Sequence, residues 1–253
     1  MIDTHSHLYA EEFNIDCVAV IERAKVSGVE KVFLPAIDGS THEAMMKLVK
    51  LYPGYCTAMM GLHPCYVDGN YEKELALVES WLEKEKFSAV GEIGLDYYHS
   101  TEFKDQQVDA FSRQIKLAVK YSLPIIIHTR SSMDECIKMI EQEGNGRVKG
   151  IFHCFGGDER QAQKIISLGF MLGIGGVLTY KNAGLARVLE SVSLEHLVLE
   201  TDAPYLAPVP FRGKRNEPSY IRYVAEKLAE IKSVSLEEVD EVTTANAKKI
   251  FGF

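Results

Sequence analysis

The sequence predicts an α/β chain of the (β/α)₈ TIM-barrel type, and three observations carry that prediction. Eight short apolar, largely β-branched runs alternate with longer stretches of helical period, the order expected of parallel strands joined by helical crossovers. An open doubly wound sheet usually uses fewer strands, and no Gly-x-Gly-x-x-Gly follows the first run as a dinucleotide-binding sheet would require. The length of 253 residues suits one barrel, and no Pro-rich or Gly/Ser linker interrupts it, so residues 1–253 are expected to form a single domain.

In chain order the predicted strands are Ile2 to His5, Lys31 to Ala36, Cys56 to Leu62, Ala89 to Gly94, Pro124 to His128, Gly150 to His153, Phe170 to Ile174 and Leu197 to Thr201. Helical patterns lie near 14–27, 41–52, 71–86, 103–121, 132–143, 158–168 and 183–192, with two more near 217–231 and 235–250. Their ends carry ordinary punctuation. Gly28 and Gly169 follow helix ends, Asp158 can cap the helix after Gly156-Gly157, and Ser235 with Glu238 forms a capping box. The stretch from Ala203 to Pro218, rich in proline and basic residues, is expected to be a long functional loop.

Composition narrows the class. Hydrophobic residues make up 46% of the chain, enough for a sizeable core, and the formal charge of −8 argues against coating nucleic acid by bulk electrostatics. Cys17, Cys56, Cys65, Cys136 and Cys154 are scattered, without the close pairs of a zinc ribbon, which suits a reducing, cytoplasmic setting. No basic segment leads into an apolar run at the amino terminus, and no stretch approaches membrane-spanning length, so neither a secretory signal nor a membrane partner is expected. No obligate protein partner is evident.

The active site of such a barrel sits at the carboxyl ends of its strands. His5 and His7 end the first strand, Glu92 the fourth, His128 the fifth and His153 the sixth, and Asp202 follows the eighth. In extended backbone Asp3, His5 and His7 share one face, which would set Asp3 behind the two rings. A lone His-x-His is weak evidence, and His128 or His153 alone could be a core histidine with a satisfied hydrogen bond. Six such residues at one end of one barrel have a common explanation in a metal site. Four imidazoles and two carboxylates exceed the needs of one tetrahedral zinc, and a carboxylate can bridge two ions. The expected arrangement puts His5, His7 and Asp202 on one ion, His128 and His153 on the other, and Glu92 between them. Donors of this kind without thiolate fit zinc, manganese, nickel or iron, and magnesium less naturally.

Several motifs carry a resemblance: Asp3-Thr4-His5-Ser6-His7, Gly61-Leu62-His63-Pro64, Gly91-Glu92-Ile93-Gly94-Leu95-Asp96-Tyr97, His128-Thr129-Arg130, His153-Cys154-Phe155 and Glu200-Thr201-Asp202-Ala203-Pro204-Tyr205-Leu206. With the run Pro208 to Pro218, they resemble the TatD family over nearly the whole chain. The resemblance implies a metal-dependent (β/α)₈ hydrolase of the amidohydrolase superfamily, with deoxyribonuclease activity in characterised relatives. It implies that the six residues are the metal ligands. Two positions depart from the family pattern: Cys65 and Phe211 stand where members often carry histidine.

The expected chemistry is attack on a phosphodiester by a hydroxide bridging two divalent ions. Asp202 is the candidate general base, and His63, outside the ligand set, the candidate donor to a phosphoryl or leaving oxygen. Arg130, Arg212, Lys214 and Arg215 are the candidate phosphate-binding residues, and Tyr97, Tyr98 and Tyr205 the candidate stacking surfaces for a nucleic-acid substrate, DNA first. The competing readings are a metal hydrolase of an amide or acyl ester, such as an acyl-tRNA, and a non-catalytic nucleic-acid-binding scaffold.

Overall fold

The computed structural model describes residues 1–98 and 100–253. Its strands are β1 (Ile2–Asp3), β2 (Lys31–Pro35), β3 (Cys56–Met59), β4 (Val90–Asp96), β5 (Ile125–Arg130), β6 (Gly150–Phe152), β7 (Met171–Ile174) and β8 (Leu197–Leu199). All pair in parallel and in sequence order, β1 to β3 in one run and β4 to β8 in another. Hydrogen bonds cross both seams between the runs. Gly91 N–H donates to Met60 C=O at 2.9 Å on one side, and Thr4 N–H to Leu199 C=O at 3.1 Å and His7 N–H to Ala203 C=O at 2.7 Å on the other. The strands therefore succeed one another around a barrel of the TIM type, as the alternating pattern predicts.

The helices are α1 (Cys17–Val26), α2 (His42–Leu51), α3 (Tyr71–Lys84), α4 (Lys104–Tyr121), α5 (Met133–Met139), α6 (Glu159–Ser167), α7 (Leu185–Glu190), α8 (Ile221–Lys232) and α9 (Leu236–Phe251). Asp158 and Gln161 close a reciprocal capping box on α6, and Ser235 accepts from Glu238 N–H at 3.1 Å on α9. The pattern near 132–143 divides into α5 and a π-helical turn, Ile140–Gly144. Among the described residues no helix is long and apolar enough to cross a membrane.

Period-2 alternation sorts the side chains into two layers. One buried cluster takes a single residue from or beside each strand: Ile2, Phe33, Met59, Ala89, Ile126, Ile151, Met171 and Val198. It is the packed floor of the barrel interior, and Ala247, Ile250 and Phe251 of α9 close it from below, with Phe251 stacked on Phe33 at 3.7 Å. A larger cluster fills the space between barrel and helices. From the floor, alternation carries Ile126 to His128, Ile151 to His153 and Val198 to Glu200 and Asp202 on the interior side.

Two strands break the alternation. β1 stops at Asp3 with a bend at Thr4, so His5 and His7 are not a simple continuation of Asp3's face. In β4 the pairing register shifts between Val90 and Ile93. There Gly91 lies against the inward Ile126, where a Cβ would come within 2.7 Å, and Glu92 nevertheless also faces the interior. Closer to the mouth, Gly94 has φ +141°, and a Cβ there would meet the His128 carbonyl oxygen at 2.1 Å. Gly94→Ala should therefore force β4 and β5 apart and destabilise the protein by roughly 1–3 kcal/mol, the cost of overpacking. At this size each kcal/mol lowers Tm by roughly 2–4 °C, readable by thermal denaturation, and an unchanged Tm would contradict this contact.

Candidate metal centre

Glu92 sits at the middle of the upper layer, 2% exposed, with imidazoles on both of its oxygens. Oε2 lies 3.0 Å from His5 Nε2 and 3.7 Å from His7 Nε2. Oε1 lies 2.7 Å from His153 Nε2, 2.8 Å from His128 Nδ1 and 3.3 Å from His63 Nε2. Asp202 Oδ1 approaches His7 at 3.5 Å and His5 at 3.7 Å, on the Oε2 side. The six residues expected as ligands thus lie together, His5, His7 and Asp202 on the Oε2 side of Glu92 and His128 and His153 on the Oε1 side. His63 joins them as a fifth imidazole.

The donor chemistry fits divalent cations. His5 Nε2 faces His7 Nε2 at 3.3 Å and His153 Nε2 faces His128 Nδ1 at 3.4 Å, pairs in which two lone pairs oppose each other unless a proton or cation stands between them. His5–His153–Asp202, His5–His7–Glu92 and His63–Glu92–His128 each gather ligand atoms within 4.8 Å of one another. Burial drives the Glu92 carboxyl up, but the charges of His153, His63 and His5 and the His128 hydrogen bond outweigh it and hold the group well below its ordinary range. Asp202 is lowered in the same way, burial being overcome by the His7 hydrogen bond and by His5 and His153. Burial lowers His5 and His63, whereas at His128 and His153 the neighbouring carboxylates overcome burial and raise the imidazoles. A cation would displace those protons.

Neighbouring groups set the tautomers. The Tyr9 hydroxyl donates its one proton to Pro35 C=O at 2.5 Å, so it accepts from His7 Nδ1–H at 2.9 Å and leaves Nε2 bare toward Glu92. His63 is set the opposite way. Its Nδ1 accepts from Cys65 N–H at 3.0 Å, so the neutral ring carries its proton on Nε2 and points a donor into the site. Asp3 differs from its expected place behind the rings. It accepts from His5 N–H (3.2 Å), Thr201 N–H (3.0 Å) and Thr201 Oγ1–H (2.5 Å), so its hydrogen bonds stitch the main chain of the first strand to the eighth rather than holding an imidazole. Burial, only partly offset by those bonds, pushes its carboxyl up to about 8.

Four supporting residues lie outside the set expected from the sequence. They are Tyr9, Glu200, and two glutamines on α4 that clamp main chain: Gln107 on Asp96 (2.9 and 3.1 Å) and Gln114 on Leu62 (2.7 and 3.2 Å). Glu200 is fully buried beneath His153 and accepts from Cys154 N–H at 2.5 Å. The available signal was the spacing of the glutamines, seven residues apart on the helix face that also buries Ala110, Phe111, Ile115 and Ala118.

The sequence profile of the family described as TatD related DNase matches residues 2–252. An uncharacterised metal-dependent hydrolase of Bacillus subtilis, YabD, is 41% identical over 252 residues, covering 99% of this chain and 98% of its own. The Escherichia coli protein YcfH, also an uncharacterised metal-dependent hydrolase, is 33% identical, with 99% and 95% covered. The crystal structure of YjjV, a TatD homologue of E. coli, superposes with a TM-score of 0.94 at 30% identity, covering 100% of this chain and 98% of that one.

The residues expected to bind phosphate have different surroundings. Arg130 lines a cavity of about 600 Å³ with Cys154, Gly156 and Gln161, its guanidinium 3.8 Å from the Tyr98 ring. Arg212 lies over Tyr180 at 4.5 Å, and Lys214 is exposed. Arg215 departs from the phosphate-binding expectation. Its guanidinium makes two bonds to Asp16 (2.8 and 2.7 Å) and lies over Phe13, a structural engagement that holds the loop on α1. Tyr97 is likewise half-buried against the core, whereas Tyr98 and Tyr205 are exposed. Near Arg215, Glu217 accepts from Nε and Nη2 of Arg23 (2.9 and 2.6 Å). Burial raises the Glu217 carboxyl, but Arg23 and Ser219 outweigh it and hold the group below its ordinary 4.5. A lowered folded-state value stabilises above that ordinary value and loses its effect as pH falls through the lowered one. The Tm deficit of Glu217→Gln should therefore be largest near pH 7 and shrink on acidification below about pH 4.5. A deficit that stays constant from pH 7 to pH 3 would contradict this pairing.

Proposed function

The chain belongs to the TatD-related DNase family and is a metal-dependent hydrolase, and on that premise we propose that it cleaves phosphodiester bonds of DNA at the Glu92 centre. The observation that carries the reading is the division of labour across one carboxylate: Oε2 toward His5 and His7, Oε1 toward His128 and His153. On this reading His5, His7 and Asp202 would hold one divalent ion, His128 and His153 another, with Glu92 available to both; zinc, manganese, nickel and iron suit the donors, magnesium less so. Residues 1–253 act as one catalytic unit.

When bound, the ions supply Lewis acidity toward a phosphoryl oxygen and make water easier to ionise. The protein's own groups do the rest. Asp202 is 14% exposed at the mouth and ionised, so it can take the proton of the attacking water as the new oxygen–phosphorus bond forms. His63, 13% exposed with its proton on Nε2, can hydrogen-bond a phosphoryl or leaving oxygen and stabilise the charge that develops there as the old bond breaks, while the proton taken by Asp202 returns to the leaving oxygen. Arg130, Arg212 and Lys214 supply local positive charge despite the acidic whole, and Tyr98 and Tyr205 offer exposed faces on which bases can stack.

End-labelled single- and double-stranded oligonucleotides, incubated with metal-loaded protein and resolved over time, test the reading directly. Cleavage should cease with chelator and with Glu92→Gln, and return on adding metal only in the wild type; equal cleavage by the variant would exclude this site. His63→Ala should lower kcat by roughly 10²–10³-fold, the range for a lost hydrogen-bond donor to a developing oxyanion, with KM little changed. Neutralising Arg212 and Lys214 should raise KM and flatten its salt dependence by roughly one unit of log–log slope per lost phosphate contact. An unchanged slope would remove them from substrate binding.

A further inference from the structure

We propose that Asp96 is a positioning residue: it holds the His128 ring with Nδ1 turned toward Glu92, and so selects the nitrogen through which His128 takes its ion. The inference rests on reading the centre as a metal site.

The four imidazoles proposed as ligands do not present the same atom. His5, His7 and His153 each direct Nε2 at Glu92, at 3.0, 3.7 and 2.7 Å. His128 directs Nδ1, at 2.8 Å. Nδ1 is the nitrogen nearer the main chain, so presenting it leaves Nε2 at the far edge of the ring, where it needs a partner of its own. That partner is Asp96 Oδ2, at 2.8 Å. Glu92 and Asp96 therefore grip opposite edges of one ring, and a cation arriving at Nδ1 displaces only the proton on the Glu92 side. The Nε2 proton stays on the hydrogen bond to Asp96, the carboxylate–histidine–metal relation that fixes tautomer and raises ligand basicity.

Asp96 is itself held from several directions. It is 3% exposed, and its second oxygen accepts from Tyr98 N–H at 3.0 Å. Its main-chain N–H donates to Gln107 Oε1 at 2.9 Å, and its carbonyl accepts from Gln107 Nε2 at 3.1 Å. Oδ2 also accepts from the Cys65 thiol at 3.3 Å. A carboxylate that served only to satisfy a loop would not need both its backbone and its two oxygens fixed. One that aims a ring does, because an error of a few tenths of an ångström passes directly to the ligand atom.

Imidazole nitrogen NMR on histidine-labelled, zinc-loaded protein reads the assignment without relying on activity, with His128→Gln identifying the signals of residue 128 by their loss. The expected wild-type spectrum shows His128 metal-bound at Nδ1 and protonated at Nε2. In Asp96→Asn that pattern should be lost, and zinc titration of stripped protein should show one of two affinities weakened roughly 10–100-fold with the other retained. Wild-type His128 bound through Nε2 would overturn the inference while leaving the metal centre standing, as would an Asp96→Asn protein with wild-type spectrum and affinities. A wild type that takes up no ion would overturn both. Should Asp96→Asn fail to fold, the wild-type spectrum alone decides.

Discussion

The structure depends on one buried carboxylate and the cost of keeping it charged. An ionised Glu92 in the interior of a barrel, 2% exposed, is strongly disfavoured unless positive charge or hydrogen-bond donors surround it. Five imidazoles do so here, from the ends of β1, β3, β5 and β6. Four strands must supply them at the right height, so the carboxylate fixes which residues can stand at the ends of its neighbours. It also fixes where nothing can stand. Gly61, Gly91 and Gly173 border the interior, and a Cβ at these positions would come within 2.9 Å of Ile93, 2.7 Å of Ile126 and 2.3 Å of Glu200. The space taken by the polar layer is space these glycines leave.

That polar layer stands on an apolar floor, and the division gives the barrel separate means of stability and chemistry. The floor takes one side chain from each strand position and is sealed by α9, so it depends on burial alone. Above it, rigidity comes from hydrogen bonds reaching in from outside the barrel. Gln107 and Gln114 of α4 hold the main chain of Asp96 and Leu62, Tyr9 holds His7 to Pro35, and Asp3 joins the first strand to the eighth. Polar side chains supported in this way keep their geometry without needing a hydrophobic contact.

The parts of this arrangement that follow strand periodicity are legible in the sequence. His128 and His153 follow inward-facing isoleucines by two residues, and Asp202 follows Val198 by four, so reading polar residues at strand ends finds them. Where periodicity breaks, the sequence gives a wrong neighbour. Simple alternation puts Asp3 behind the His5 and His7 rings, but the bend at Thr4 turns its hydrogen bonds to the main chain. The register shift in β4 lets Glu92 face inward beside Gly91, which alternation does not foresee. Long-range partners are also hidden. Nothing local to Arg215 announces Asp16, 199 positions away, so a basic run reads as phosphate-binding although one of its members is a structural tie.

The two departures from the family pattern acquire a common physical sense in the structure. Cys65 occupies a place where relatives often carry histidine, and its thiol is pushed up to about 12 by burial and by Asp96, so it stays neutral near physiological pH. Phe211 occupies the other, stacked on Tyr220 at 4.1 Å and edge-on to Tyr223 at 5.3 Å, an apolar anchor for the basic loop. Histidine at either position could change charge between pH 5 and 8; these residues do not. Neither residue therefore adds a charge that changes near physiological pH.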